Sequence, residues 1–181
     1  MASAMDVANF FIDVFKGTDD PMTMLRAMKL TYYAQGHSLA RLNAPIFDED
    51  IEAQTHGPVI PSVCRSLARC KDNSIRKTVG EYSKRVFSPE QIKLLTDVGV
   101  SYGMFTTGTL SSMSRAPYGP WGKVCTQNRR DSKIPKELIR EHFSVNERLK
   151  VFDIEFAIKN MRPLGPCDPE GNTILPKDLD D

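Results

Sequence analysis

The sequence has no long apolar run and no secretory leader pattern among its 181 residues. Its apolar runs are only a few residues long, whereas a helix that spans a bilayer needs about 20 apolar residues. The N-terminus lacks the basic stretch and the apolar core of a signal peptide. We therefore expect a cytoplasmic protein that has no membrane partner.

A surplus of charge of either sign is also missing, since 24 basic residues stand against 23 acidic ones. No overall field therefore favours a nucleic acid or an anionic membrane, and such a partner would need a local patch. The apolar fraction of 40% and the charged fraction of 26% are ordinary for a globular protein. The length favours a single domain.

Residue sets for catalysis or metal binding are absent as well. No Walker loop, nucleophile elbow or glycine-rich dinucleotide motif occurs. No histidine or cysteine pair has the spacing of zinc ligands. The irregular spacing of the four cysteines favours reduced thiols over a disulfide framework: Cys64, Cys70, Cys125 and Cys167. The sequence thus predicts no metal, no cofactor and no enzymatic activity.

What the sequence does contain is helical periodicity, which predicts a mainly α fold with about seven helices in one compact domain at residues 1–162. The predicted helices cover residues 5–15, 21–42, 57–71, 88–103, 106–113, 135–143 and 144–160. Residues 44–54 lack this period and predict a loop with at most a short extended segment. The acidic residues 163–181 predict a flexible tail.

Helix start signals support several of these boundaries. Ser3 with an acid three residues later, and Ser88 with glutamine at the same spacing, are typical capping boxes. Asp20 before a proline, and Ser144 before a glutamate at that spacing, predict two further starts. Gly36 lies inside the second helix, where glycine costs about 1 kcal/mol relative to alanine. It indicates either a local break or, as we prefer, a close crossing by another helix.

The most distinctive sequence lies at residues 29–61. It reads Lys-Leu-Thr-Tyr-Tyr-Ala-Gln-Gly at 29–36, Pro-Ile-Phe at 45–47, Glu-Ala at 52–53 and Gly-Pro-Val-Ile-Pro at 57–61. Further on come Leu-Ser at 110–111, Pro-Trp at 120–121 and an apolar segment at 134–143. In this order and spacing the segments resemble the Panacea domain, over about residues 5–143. Thr31 stands where that family usually has leucine, and Arg115 where it has histidine.

The resemblance implies an interaction protein without catalytic activity or cofactor. Panacea-type antitoxins are cytosolic and neutralise, by direct binding, a toxin encoded beside them. The partner expected from the resemblance is therefore a cognate protein toxin. The departure at Arg115 puts in doubt any role that requires an imidazole at that position.

Residue types suggest where such a partner would bind, with a structural alternative in each case. Tyr33 points away from the apolar stripe that contains Tyr32. The acidic run forms either a solvated loop or a surface for a basic toxin. His56 either braces a turn or lies on a binding surface, and Trp121 either pins a loop to the core or anchors a partner. The candidate partner-binding residues are Tyr33, Asp48, Glu49, Asp50, Glu52, His56, Arg115 and Trp121.

Two other functions remain open at this stage. A phage or mobile-element adaptor could hold a host target, or deliver it for proteolysis through the acidic tail. The basic region at residues 115–140 could bind a nucleic acid backbone, although no recognition-helix motif accompanies it. Homo-oligomerisation is compatible with all three functions.

Overall fold

The computed structural model describes residues 1–17, 22–70, 74–125 and 132–145. In these ranges it contains seven α-helices and a small antiparallel sheet. The helices are α1 Ala4–Phe15, α2 Met24–Arg41, α3 Pro61–Leu67, α4 Pro89–Gly103, α5 Thr107–Ser114, α6 Pro120–Cys125 and α7 Lys136–Val145. The strands are β1 Glu52–Gln54, β2 Gly57–Val59 and β3 Ser132–Lys133. The prediction of a mainly α fold is confirmed.

The described residues all belong to one compact unit, Met1–Val151. The predicted boundary at residue 162 and the predicted tail at 163–181 lie outside the described residues, as does the helix predicted after Ser144. Ser144 itself is not an N-cap. It lies inside α7, where its hydroxyl donates a hydrogen bond to the Arg140 carbonyl.

Helix α2 is the centre of the core and packs against α1, α3, α4, α5 and α7. Every residue from Arg26 to Leu39 is buried, so the predicted apolar stripe describes only part of the buried surface. The helix begins at Met24 with Thr23 as its N-cap, because the Thr23 hydroxyl accepts the Arg26 amide proton. The predicted start at Asp20 lies outside the described residues.

The sheet has the order β2-β1-β3, with both pairs antiparallel. Gly57 pairs with Gln54 and has φ of +103°, a conformation that favours glycine. The prediction that a helix opens at Gly57 was therefore wrong. Residues 57–59 are held in the sheet, and α3 starts only at Pro61. The predicted short extended segment corresponds to β1.

Local start signals identified α4 and α5 correctly. Ser88 and Gln91 form the predicted capping box, and the Thr106 hydroxyl accepts the Thr109 amide proton. Trp121, however, lies in the short helix α6 and not in an irregular turn.

A close helix crossing occurs at Gly36, as predicted. A Cβ atom there would lie 2.5 Å from the Phe143 ring of α7. Alanine should gain about 1 kcal/mol of helix propensity, but we expect overpacking of about 1–3 kcal/mol to outweigh it. In urea denaturation, Gly36→Ala should therefore be less stable than the wild type.

Gly99 of α4 provides the matched control, since a Cβ atom there would lie 3.8 Å from the Phe11 ring. Gly99→Ala should be neutral, or more stable by up to about 1 kcal/mol. Equal stability changes for both variants would show that α7 does not press against Gly36.

Candidate partner-binding groove

The candidate residues do not form one surface, and Tyr33 is part of the core. Its side chain is only 2% exposed. Its hydroxyl donates to the Leu110 carbonyl at 3.2 Å, and its ring stacks on Tyr102 with centroids 4.1 Å apart. The prediction that Tyr33 faces a partner was wrong, because α4 and α5 cover the face of α2 that carries Tyr33.

The acidic run is largely engaged within the molecule. Asp48 accepts an ion pair from Lys136 at 3.2 Å, and Asp50 pairs with Lys133. The Asp50 carboxylate also raises the pKa of Lys133 above its ordinary value. Both pairs are exposed and contribute little to stability. They nevertheless neutralise charge that a basic partner would otherwise meet.

The other two acids of the run have local roles. Glu49 accepts the Ala4 backbone amide at 2.8 Å, at the start of α1, where a carboxylate also interacts favourably with the helix dipole. Glu52 accepts a hydrogen bond from the Gln54 side chain at 3.0 Å. The acidic run therefore acts mainly as a connector between α1, the sheet and α7.

His56 and Arg115, by contrast, lie together on an open groove of about 1060 Å³. The groove runs between the start of α2, the β1–β2 turn and α5. Its polar lining residues are Thr23, Gln54, Thr55, His56, Thr107, Ser111, Ser112 and Arg115, with Gly108 among them. Its apolar and sulfur-containing lining residues are Met24, Leu25, Met28, Val59 and Cys64.

A lysine lies buried beside this groove. The Lys29 side chain has no exposed surface, and its Nζ donates to the His56 carbonyl at 3.1 Å and the Pro58 carbonyl at 3.0 Å. Burial, with a smaller effect from the Arg115 charge, lowers its pKa to about 8. Lys29 thus fixes the β1–β2 turn from inside.

Gly57 brings Lys29 and Arg115 close to each other. A Cβ atom at Gly57 would lie 2.8 Å from Lys29 Nζ and 3.0 Å from Arg115 Cγ. Glycine at this position therefore allows the backbone to pass between the two cationic side chains. Any larger residue would have to displace one of them.

Neither cation has a carboxylate partner among the described residues. The polar contacts of Lys29 are with backbone carbonyls, and Arg115 donates from Nε to the Ser111 carbonyl at 3.3 Å. No Asp or Glu lines the groove within the described ranges. The groove is therefore positive, with no acidic residue of its own to neutralise it.

Trp121 does not line the groove but contacts Gln54, which does. Its indole Nε1 donates to the Gln54 carbonyl at 2.7 Å, and its ring is half-buried. This hydrogen bond joins α6 to the end of β1, and the choice between a residue that pins a loop to the core and an anchor for a partner stays open.

The basic region at residues 115–140 is only partly available for binding. Lys133 and Lys136 pair with the acidic run, and Arg140 donates to the Asn43 side chain at 3.1 Å. Arg129 and Arg130 lie outside the described residues. Arg115 belongs to the groove. Lys123 is exposed as well. In the described part of the region, two lysines are thus already paired with acids, whereas other cations remain at the surface.

The described ranges contain no group of three or more His, Cys, Asp or Glu side chains arranged to hold a metal ion. Cys64, Cys70 and Cys125 are free thiols. No helix in this part of the chain is long and apolar enough to cross a bilayer.

Sequence reasoning missed Lys29 and the apolar residues of the groove. One signal was available, since Lys29 is a charged residue in the middle of a helix expected to be buried. Nothing in the sequence indicated that it would lie against Arg115, because the two meet only through the fold of residues 57–59.

Comparisons with known proteins agree with the resemblance seen in the sequence. The family model "Antitoxin SocA-like, Panacea domain" matches residues 27–122. Antitoxin SocA of Caulobacter vibrioides (strain NA1000 / CB15N) is 28% identical over 131 residues, which cover 67% of this chain and 69% of that protein. No solved structure gives a significant match. The matched segment contains α2 from Ala27 onward, the β1–β2 hairpin and α5, and the chain belongs to the SocA-like, Panacea-domain antitoxin family.

Proposed function

We propose that this chain is an antitoxin that neutralises a genetically linked toxin by direct protein–protein binding. Membership of the family supports the general role, and the name of the Caulobacter relative agrees with it. The observation that carries the proposal is the open groove at His56 and Arg115, which combines apolar side chains with positive charge that has no carboxylate partner among the described residues. Such a surface favours a protein partner over a catalytic reaction.

The proposed mechanism needs neither a cofactor nor bond chemistry. The toxin would be inactive while bound, and neutralisation would last as long as the complex does. Nucleic-acid binding is less well supported, because two lysines of the basic region already pair with acids. We therefore propose that the chain acts by forming a hetero-complex with the toxin.

A growth assay with the neighbouring genes tests this function. Induction of one adjacent reading frame alone should arrest growth. Co-expression of this chain should restore growth, and the two products should co-purify. If every adjacent product is harmless, or if rescue occurs without any complex, direct neutralisation is contradicted.

A further inference from the structure

We infer that the groove binds a short segment of the toxin in which one Asp or Glu is flanked by apolar residues, with Arg115 as the contact for its carboxylate. The inference rests on the proposed function and specifies the chemistry of the partner. The charge of Lys29 would act on the same carboxylate from below the groove surface.

Lys29 is a buried charged residue, and burying a charge is costly. An ammonium group away from water is destabilising unless it is paired and hydrogen-bonded. Lys29 has two carbonyl partners but, among the described residues, no carboxylate, and Arg115 beside it adds a second positive charge. An incoming carboxylate would relieve this repulsion. The site therefore selects an acidic group.

Arg115 and Lys29 differ in solvent exposure and therefore in the role that each can have in binding. Arg115 is exposed, so a partner can reach its guanidinium from solvent. Guanidinium groups bind carboxylates with two parallel hydrogen bonds, which gives directional recognition. Lys29 has no exposed surface and can contribute only through its charge. Arg115 is accordingly the contact residue, and Lys29 strengthens the local positive potential.

The other lining residues favour an acidic peptide over a nucleic acid or a small anionic ligand. Met24, Leu25 and Met28 supply flexible apolar surface, and methionine adapts well to a partner side chain. Among the described residues no Phe, Tyr or Trp lines the groove, so this part of the chain offers the bases of a single-stranded nucleic acid no aromatic ring on which to stack. The volume of about 1060 Å³ lies just above the roughly 300–1,000 Å³ typical of small-ligand pockets. An amphipathic peptide segment fits these features best.

The test compares two charge reversals on the purified full-length protein, with affinity for the toxin measured by calorimetry. Arg115→Glu should weaken binding by at least about thirtyfold, as expected for losing one partner of a close charge pair at an interface. Arg85→Glu is the control, because Arg85 is exposed and lies outside the groove lining. It makes the same change in net charge and should leave the affinity nearly unchanged. Circular dichroism would check that both variants are folded.

A charge swap then identifies the acidic residue. Each Asp and Glu of the toxin is changed to Lys in turn, and one of these changes should restore affinity for Arg115→Glu. Equal affinities of wild type and Arg115→Glu, or no restoring change, would overturn the inference while leaving the antitoxin function standing. If the wild-type protein does not bind the toxin at all, the proposed function itself fails.

Discussion

Gln35→Leu should lower the free energy of unfolding by several kcal/mol, because Gln35 holds the chain between α2 and the sheet. The side chain is fully buried. Its Nε2 donates to the Phe47 carbonyl at 2.9 Å, and its Oε1 accepts the amides of Ile46 at 3.0 Å and Phe47 at 3.4 Å. Leucine would leave these three backbone groups buried without partners, at about 1–3 kcal/mol for each.

Urea denaturation of wild type and variant measures this effect. Gln54→Leu is a suitable control, because the Gln54 side-chain amide donates, within the described ranges, only to Glu52, and the residue is half-buried. We expect a cost below about 1 kcal/mol for that variant, as for most substitutions near the surface. Gln35→Leu with wild-type stability would mean that residues 46–47 are not held by α2. The position of the β1–β2 turn would then need another explanation.

Acid should destabilise the protein through His37. This imidazole is fully buried in α2, and its Nε2 lies 2.9 Å from the Tyr102 hydroxyl. Its Nδ1 has no hydrogen-bond partner among the described residues. Burial, with a smaller contribution from the Arg41 charge, lowers its pKa from 6.5 to about 3. The folded protein therefore keeps His37 neutral, whereas the unfolded chain protonates it below pH 6.5.

The sign of the pH effect follows from this depressed pKa. Between pH 6.5 and about 3 the unfolded state binds the extra proton, so stability falls as the pH is lowered through this window. The slope should approach about 1.4 kcal/mol per pH unit. Urea midpoints at a series of pH values should therefore fall more steeply for the wild type than for His37→Gln. His56→Gln, at an exposed position, should follow the wild-type profile; parallel profiles for all three would contradict the role of His37.

The features that sequence predicted well are those whose causes are local. A capping box at Ser88 needs only residues within one helical turn, so α4 began where expected. Gly36 was informative because glycine inside a helix has a cost that close packing can offset. The family resemblance was carried by short segments that retain their order, and the match over residues 27–122 confirmed it.

The predictions that were wrong concern features that depend on contacts between segments distant in the sequence. Gly57-Pro58 has the composition of a helix start, but pairing with β1 holds it extended. A helical wheel gives the angle between Tyr32 and Tyr33 but does not show what covers each face. In the same way, the ion pairs of Asp48 and Asp50 with a distant basic segment could not be read from an acidic run alone.

The candidate site was therefore predicted only in part. His56 and Arg115 do lie together on the groove, whereas Tyr33 is internal and the acidic run serves the fold. The sequence did not identify Lys29 as part of the site. Its burial, and its lack of a carboxylate partner among the described residues, can be recognised only from the structure. We propose that the toxin binds at one groove, formed by α2, the β1–β2 turn and α5.

Alkylation of Cys64 tests this account most directly, because Cys64 lines the groove and Cys70 does not. The rates at both thiols would be followed by mass spectrometry as the toxin is added to the purified protein. We predict that the Cys64 rate falls in proportion to the fraction of protein in complex, while the Cys70 rate stays constant. A stable complex in which Cys64 still reacts at its free rate would contradict binding at the groove, and the absence of any complex would contradict the antitoxin function.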